Sequence, residues 1–344
     1  MTFFTWDRLE EYQPVVSRML LNGLKQGMTS HSYIFEGAKG TKRIDTAILF
    51  AKTLICKKRD AGFNPCNVCN NCTRIDALNH PNVFYVSATG DQIRKRQIKD
   101  LLVEFSRTSL EDGPRIYIID EAEKLNQEAA NTLLKTMEEP GQGIYQVLIT
   151  SQQGSLMKTI ISRAQALHFK PIDRKKIKQD LLLMGVPDRL ASAISESTFN
   201  TDMAVKMSQD GKTSLLVDLA LDIYHSLFKR DRSAVLLFKD AKELVLESFD
   251  TADFFVGVLT LIMKDALNYK LRHKELIVFD SEIQLIEKIG EKTPQKIIEE
   301  QLELLLGLKA KLKYNINSNL AFDKMLACLE RGIVNGLSCS AGSV

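Results

Sequence analysis

Between residues 32 and 169, short apolar, β-branched runs alternate with amphipathic segments. That alternation predicts a parallel sheet wrapped by helices. The runs Tyr33 to Glu36, Val83 to Val86, Arg115 to Asp120, Gln146 to Ser151 and Ala166 to Phe169 read as strands. Apolar residues at three- and four-residue steps predict helices over Asp45 to Ile55, Gln97 to Arg107 and Gln127 to Met137, the last ended by Pro140. Past Pro171 the strand signal stops. Residues 172 to 209 read as a few short helices, punctuated by Gly185, Pro187 and the polar turn Asn200-Thr201-Asp202. From Thr213 to about Gly332 the helices are long and amphipathic, as in the series Leu302, Leu305, Leu306, Leu308 and Leu312. The expected organisation is an α/β domain over 1–170 with an insertion at 56–72, a helical lid over 171–210, an all-α collar over 211–335, and a Gly/Ser-rich tail over 336–344. Cys339, in that tail, reads as an exposed thiol.

Composition changes little in this picture. A chain of 344 residues with 44% hydrophobic content can build two or three cores. A formal net charge of +3 is too balanced for a surface that binds nucleic acid throughout. No apolar run approaches the roughly 20 residues of a membrane helix, and Met1-Thr2-Phe3-Phe4-Thr5-Trp6-Asp7 is not a basic start followed by an apolar stretch. A cytoplasmic protein without membrane contact is expected.

In a reducing cytosol, cysteines bunched together point to metal rather than to disulfides. Cys56, Cys66, Cys69 and Cys72 have the spacing C-x9-C-x2-C-x2-C. Four thiolates close a tetrahedral shell around Zn²⁺ with no open position, which makes a structural site. Asn67, Asn70 and Asn71 suit the tight turns such a knuckle needs. The alternatives are four reduced thiols on a polar loop, or a redox C-x-x-C pair. His80 could substitute for a ligand, although His80-Pro81 also suits the opening of the strand at Val83.

Around Gly37-Ala38-Lys39-Gly40-Thr41-Lys42-Arg43-Ile44 the chain imitates a phosphate loop. With Gly37 as the first glycine of G-x-x-x-x-G-K-[ST], the second glycine falls at Lys42, the phosphate lysine at Arg43 and the magnesium hydroxyl at Ile44. Gly40 is retained, but all three working positions differ. Arg43 keeps the charge on a broad planar fork, Ile44 cannot bind Mg²⁺, and Lys42 adds a side chain where backbone must approach phosphate. Downstream, Ile116-Tyr117-Ile118-Ile119-Asp120-Glu121 is an intact acidic box. The pairing predicts an ATPase fold kept as scaffold, with no ATP bound. The rival is a hydrolysing subunit in which Arg43 replaces the lysine.

Ser162-Arg163-Ala164 follows a short helix after the fourth strand. A lone loop arginine is ordinarily a solvated charge. At this end of an ATPase-like domain it can also project to the γ-phosphate of a neighbouring subunit.

Taken together, these residues resemble the delta-prime subunits of bacterial DNA polymerase III clamp loaders, AAA+ relatives of the gamma/tau motor subunits. The resemblance covers nearly the whole chain. It rests on His31 to Gly37, the cysteine knot, His80-Pro81-Asn82, Asp120-Glu121-Ala122-Glu123-Lys124-Leu125, the run from Asn131 to Pro140 (N-x-L-L-K-x-x-E-E-P), Ser162-Arg163, and Asn315-Ile316-Asn317-Ser318-Asn319-Leu320. It implies a non-hydrolysing stator in a hetero-pentamer with gamma/tau and delta. The collar holds the ring together, Arg163 with Ser162 completes a neighbour's ATP site, and the complex loads a sliding clamp onto primed DNA. Two departures accompany it. Ala164 stands where the family has cysteine, and Asn200 to Val205 lacks the nucleotide-sensing arginine of motor subunits. A zinc-knuckle nucleic-acid binder with the α/β domain as a mount is the remaining alternative, and the near-neutral charge speaks against it.

Overall fold

The computed structural model describes residues 4–106, 112–229, 233–314, 317–335 and 337. Arg107, Asn315, Ile316 and the tail with Cys339, all invoked above, lie outside the described residues, apart from Leu337. The chain groups into two compact units, Met1–Ile172 and Asp173–Val344.

In the first unit two helices, α1 (Trp6–Tyr12) and α2 (Pro14–Gln26), precede strand β1 (Ser32–Glu36). The sheet continues with β2 (Val83–Val86), β3 (Arg115–Ile119), β4 (Ile144–Thr150) and β5 (Gln165–His168). All pairings are parallel, in the order β2-β3-β4-β1-β5. The crossovers carry α3 (Arg43–Ile55), α4 (Asn70–Asp76), α5 (Lys95–Ser106), α6 (Gln127–Glu138) and α7 (Lys158–Ile161). The five expected strands are the five observed, with ends moved by up to two residues.

Strand alternation divides the core into two layers, because successive side chains leave a strand on opposite faces. Tyr33, Phe35, Ile116, Ile118, Val147 and Ile149 pack with Trp6, Leu9, Val16, Leu20, Phe50 and Ile75 on one face. Ile34, Tyr117, Ile119 and Leu148 pack with Ile98, Leu101, Leu133, Met137 and Ile160 on the other. Both faces are covered, which explains why the strands read as continuous apolar runs. The fold class, a parallel α/β sheet domain followed by helices, is the one expected.

α1 and α2 were not anticipated. Their anchor is Trp6, buried with its indole N–H donating to Thr53 Oγ1 at 3.0 Å and to the Phe63 carbonyl at 3.2 Å. A single tryptophan near a chain start gives no periodicity, so the partner that makes it structural is invisible in sequence. α4 is a correction as well. Asn70 and Asn71 open a helix instead of lying in turns, and only Asn67 takes the left-handed conformation, at φ 57°.

The second unit is all-α: α8 (Arg174–Leu183), α9 (Asp188–Ser197), α10 (Thr201–Gln209), α11 (Gly211–Lys229), α12 (Ala234–Val245), α13 (Phe249–Lys270), α14 (Ile283–Lys292), α15 (Gln295–Lys311) and α16 (Ser318–Asn335). Asn200 caps α10, its Oδ1 accepting from Asp202 N and Met203 N at 3.0 Å. α13 begins with a Ser248/Thr251 capping box and packs against α11, α14 and α15. Its Phe255 and the neighbouring Phe238 both stack on Phe322. Its one buried carboxylate, Asp265, accepts the backbone N–H groups of Val278 and Phe279 at 3.0 and 2.9 Å. Burial pushes that carboxyl up to about 6 despite those donors.

Candidate functional site

The carboxyl ends of parallel strands all open on one edge of the sheet, where loops converge. The loop from Gly37 to Lys42 leaves β1 at this edge, and Asp120-Glu121 leaves β3 there. Because β4 lies between β1 and β3, the loop and the acidic box are two strands apart and must meet through long side chains.

The loop's backbone is held by its surroundings. Gly37 N–H donates to the Thr150 carbonyl at 3.1 Å, and a Cβ at Gly37 would lie 2.6 Å from the Phe169 carbonyl oxygen, so no larger residue fits. Thr41 is buried, with its hydroxyl donating to the Ala38 carbonyl at 2.8 Å. Gln13 of α1–α2 donates to the carbonyls of Thr41 and Lys170 at 3.2 and 2.7 Å, clamping the loop to the end of β5. Lys42 is the N-cap of α3 at φ 69°. This is the place where the motif has its second glycine, and a residue with a Cβ held there costs about 1–2 kcal/mol. The turn is therefore imposed by its surroundings and not by the lysine.

The side chains are arranged otherwise. Lys39 Nζ lies 2.9 Å from Glu121 Oε1, and Lys124 Nζ lies 2.8 Å from Glu121 Oε2. These two bonds hold the Glu121 carboxyl below the usual carboxylate range. Asp120 accepts from Tyr85 Oη and from Glu121 N–H, both at 2.8 Å. Burial and the Asp120 bond push the Tyr85 phenol up, so it stays a donor. Arg43 is 7% exposed; burial lowers its pKa, while the charges of Asp120, Glu123 and Glu121 act against that. Ile44 is 42% exposed and offers no ligand oxygen. Lys39, Tyr85, Lys124 and Gln13 were missed in the sequence. A lysine inside the motif's variable stretch and a tyrosine on a neighbouring strand carry no spacing signal.

The cysteines stand apart from this edge. Cys56 is the C-cap of α3, Cys69 is the N-cap of α4, Cys72 lies within α4, and Cys66 precedes the Asn67 turn. Their sulfurs all lie within 4.8 Å of one another, with Cys56–Cys66 at 3.6 Å and Cys56–Cys69 at 4.0 Å. A tetrahedral Zn²⁺ with Zn–S of about 2.3 Å needs sulfurs about 3.8 Å apart. The donor set therefore fits such an ion, whereas a disulfide needs about 2.0 Å. Cys66 N–H points at Cys56 Sγ at 3.5 Å, the kind of outer bond that steadies a ligand thiolate. The Val68 N–H lowers the Cys66 thiol to about 6, and burial raises those of Cys56 and Cys72. Buried Lys52 donates to Asn67 Oδ1 at 2.9 Å and pairs with Asp76, fixing the turn from below. The cluster could hold a metal such as zinc. His80 is not part of it; its carbonyl receives Val83 N–H as the chain enters β2.

Arg163 follows α7 at the start of the segment into β5. Its Nη2 lies 2.9 Å from Glu138 Oε1, and its Nη1 donates to the Thr159 carbonyl at 3.0 Å and to Ser162 Oγ at 3.3 Å. Ser162 in turn donates to the Thr159 carbonyl.

Comparison with known proteins gives these sites a family. Residues 12–173 match the family described as "DNA polymerase III, delta subunit". DNA polymerase III subunit delta' of Bacillus subtilis is 32% identical over 328 residues, spanning 95% of this chain and 99% of the relative. Subunit tau of the same organism is 35% identical over 169 residues, 48% of this chain and 29% of the relative. A gamma-subunit-related protein of Thermotoga maritima superposes over 92% of this chain and 99% of its own at TM-score 0.39 and 15% identity, too loosely to add to the assignment. The class defined is that of DNA polymerase III clamp-loader subunits. Within it, the near-complete overlap with delta' decides the family, and the chain belongs to the delta' subunits of DNA polymerase III.

Proposed function

We propose that this chain is the stator of a pentameric clamp loader, neither hydrolysing nor binding ATP, and that it lends Arg163 to the ATP site of an adjacent gamma/tau subunit. The observation that carries the reading is the occupied state of its own loop. Lys39 sits on Glu121, Arg43 is buried and feels the charges of Asp120, Glu123 and Glu121, and Ile44 stands at the place of the magnesium ligand.

Magnitudes indicate which of these matters most. The Lys39–Glu121 pair is half-exposed, and pairs of that kind contribute about 1 kcal/mol or less. Alone it would weaken nucleotide binding only severalfold. Micromolar binding is worth about 8 kcal/mol, so the larger losses are the hydroxyl, the compact lysine and the glycine that lets backbone N–H groups wrap phosphate.

On this reading Arg163 acts in trans, meeting charge that develops on the neighbour's γ-phosphate, and Ser162 orients it. Residues 171–210 form the lid and 211–335 the collar through which delta and gamma/tau subunits assemble. The ring opens a sliding clamp and places it on primed DNA in the cytoplasm. Cys56, Cys66, Cys69 and Cys72 hold one structural Zn²⁺, which supplies a cross-link and no chemistry. The test is reconstitution with wild-type motor and delta subunits. Arg163→Ala should leave the ring intact by gel filtration and depress clamp- and DNA-stimulated ATP hydrolysis. Unchanged hydrolysis in a correctly formed ring would refute the reading. Substantial ATPase from the isolated chain, abolished by Asp120→Asn, would favour the motor alternative.

A further inference from the structure

We infer that Glu138 is a positioning residue for Arg163: its carboxylate anchors one edge of the guanidinium and leaves the other edge free to exchange onto a neighbour's phosphate. The inference rests on the trans role proposed for Arg163.

Glu138 is the last residue of α6, and Glu139 follows it as the C-cap. A helix C-terminus carries partial negative charge, so a carboxylate there is disfavoured. Two acidic residues at that end therefore oppose the local preference of the helix. Stability does not explain Glu138 either. The Glu138–Arg163 pair has side chains 50% and 36% exposed, in the range where an ion pair contributes little to stability. What the pair does fix is geometry.

The guanidinium is held by unlike acceptors on its two terminal nitrogens. Nη2 faces the charged Glu138 oxygen at 2.9 Å, while Nη1 faces two neutral oxygens, the Thr159 carbonyl at 3.0 Å and Ser162 Oγ at 3.3 Å. A charge-assisted bond is roughly twice as strong as a neutral one. An incoming phosphate oxyanion therefore replaces the neutral acceptors on Nη1 first, and Nη2 stays on Glu138. The fork is presented edge-on from a fixed rear anchor, and its rotamer freedom is spent before the neighbour arrives. The backbone supports this. Arg163 N–H donates to the Ile160 carbonyl and Ser162 N–H to the Lys158 carbonyl, so the short helix α7 carries the arginine at a set height beside the end of α6.

The experiment uses the complete reconstituted ring containing Glu138→Ala, Glu138→Gln, Arg163→Ala or the double variant, each checked for assembly by gel filtration. The readout is steady-state ATP hydrolysis with clamp and primed DNA. Glu138→Ala should lower kcat by about half the loss that Arg163→Ala produces, with KM for ATP unchanged, since misplacement and not removal is at issue. Glu138→Gln keeps an acceptor for Nη2 and should restore most of the loss. In the Arg163→Ala background, Glu138→Ala should have no further effect. Wild-type kcat for Glu138→Ala beside a depressed Arg163→Ala overturns the inference and leaves the trans role standing. So does an equal further loss in the double variant, which marks Glu138 as acting apart from the arginine. Loss with Glu138→Ala while Arg163→Ala is wild-type in an intact ring overturns both, because no finger remains to be positioned. If Glu138→Ala fails to assemble, Glu138→Gln and Glu138→Gln/Arg163→Ala carry the same comparison, with a smaller kcat loss that must vanish without the arginine.

Discussion

The cysteine insertion and the nucleotide loop are joined by one helix, α3, and differ in what each has kept. At its C-terminal end, Cys56 joins three other sulfurs at separations a tetrahedral ion requires. At its N-terminal end, Lys42 makes a left-handed turn, and Lys42, Arg43 and Ile44 stand where G-x-x-x-x-G-K-[ST] has glycine, lysine and a hydroxyl. In one region four like donor atoms stand together, and in the other the residues at the motif's working positions differ from it. A backbone turn can persist as scaffold because packing imposes it: Gly37 is wedged against Phe169, Gln13 clamps Thr41, and Lys42 is held left-handed at a cost. A thiolate cluster has no comparable second use. Four thiolates at these separations repel one another and need a cation between them to offset that repulsion.

The largest effect expected from this contrast is at the metal. Purified chain should carry about one zinc, and Cys72→Ser, at the fully buried ligand, should abolish it, because a structural Zn²⁺ is worth about 10–16 kcal/mol to its own site. Atomic-absorption analysis of untagged protein checks the stoichiometry. Hydrogen exchange should show loss of protection confined to the neighbourhood of 56–76, with the sheet unaffected. Substoichiometric zinc under chelator-free conditions would break the comparison at its stronger side.

How much of the contrast was legible beforehand follows from the type of information each feature uses. The cysteine spacing, the departures from the motif at 42–44 and the acidic run at 116–121 are local and could be read directly. So could the five strands, whose covered faces make them continuous apolar runs. The N-terminal helices could not, since their hold on the molecule is Trp6 reaching Thr53 and Phe63. Nor could the partners of the site: Lys39 to Glu121, Tyr85 to Asp120 and Arg163 to Glu138 each join residues dozens apart, through pairings that only the strand order determines. Asn70 and Asn71 misled because asparagine favours turns and helix starts alike.

Next in size is the effect of Arg163. Fingers of this kind are worth about 10³ or more where chemistry limits. Under the trans role proposed for Arg163, one ATP site of several loses its finger in Arg163→Ala, so total turnover of the ring should fall much less. Arg163→Lys should recover little, because a point charge does not reproduce the fork. Full recovery by lysine would mean the two edges of the guanidinium do not matter.

Acid provides a third test, because two effects of opposite sign can be separated. Protonation competes with any metal at thiolates, so a metal-linked contribution falls as pH drops. Asp265 works the other way. Its carboxyl is raised from an unfolded value near 4 to about 6, so the folded state binds the proton more tightly. Its favourable contribution is complete below about pH 4 and lost as pH rises through 6, by about 3 kcal/mol. Asp265→Asn should remove that slope in chemical denaturation of the second unit while leaving zinc content unchanged. A slope that persists in the variant would assign it elsewhere.

The smallest effect is at the loop itself. Lys42→Gly relieves left-handed strain worth about 1–2 kcal/mol and loosens the unfolded chain by about 0.4–1 kcal/mol. A gain of about 1 kcal/mol or less in denaturant unfolding is expected, with no ATP binding gained. A loss of stability would mean Lys42, which lies 3.4 Å from Asp45 through its ammonium, holds the loop by its side chain.

Nucleotide binding by the isolated chain tests the central claim most directly. Titration of purified protein with Mg²⁺-ATP, followed by calorimetry, should give no heat of binding up to millimolar nucleotide. The combined change Lys42→Gly, Arg43→Lys and Ile44→Thr should bring measurable affinity into the same retained backbone. Micromolar binding by the unaltered chain would contradict the account, because the loop would then be a nucleotide site that tolerates Arg43 and Ile44 and not a scaffold.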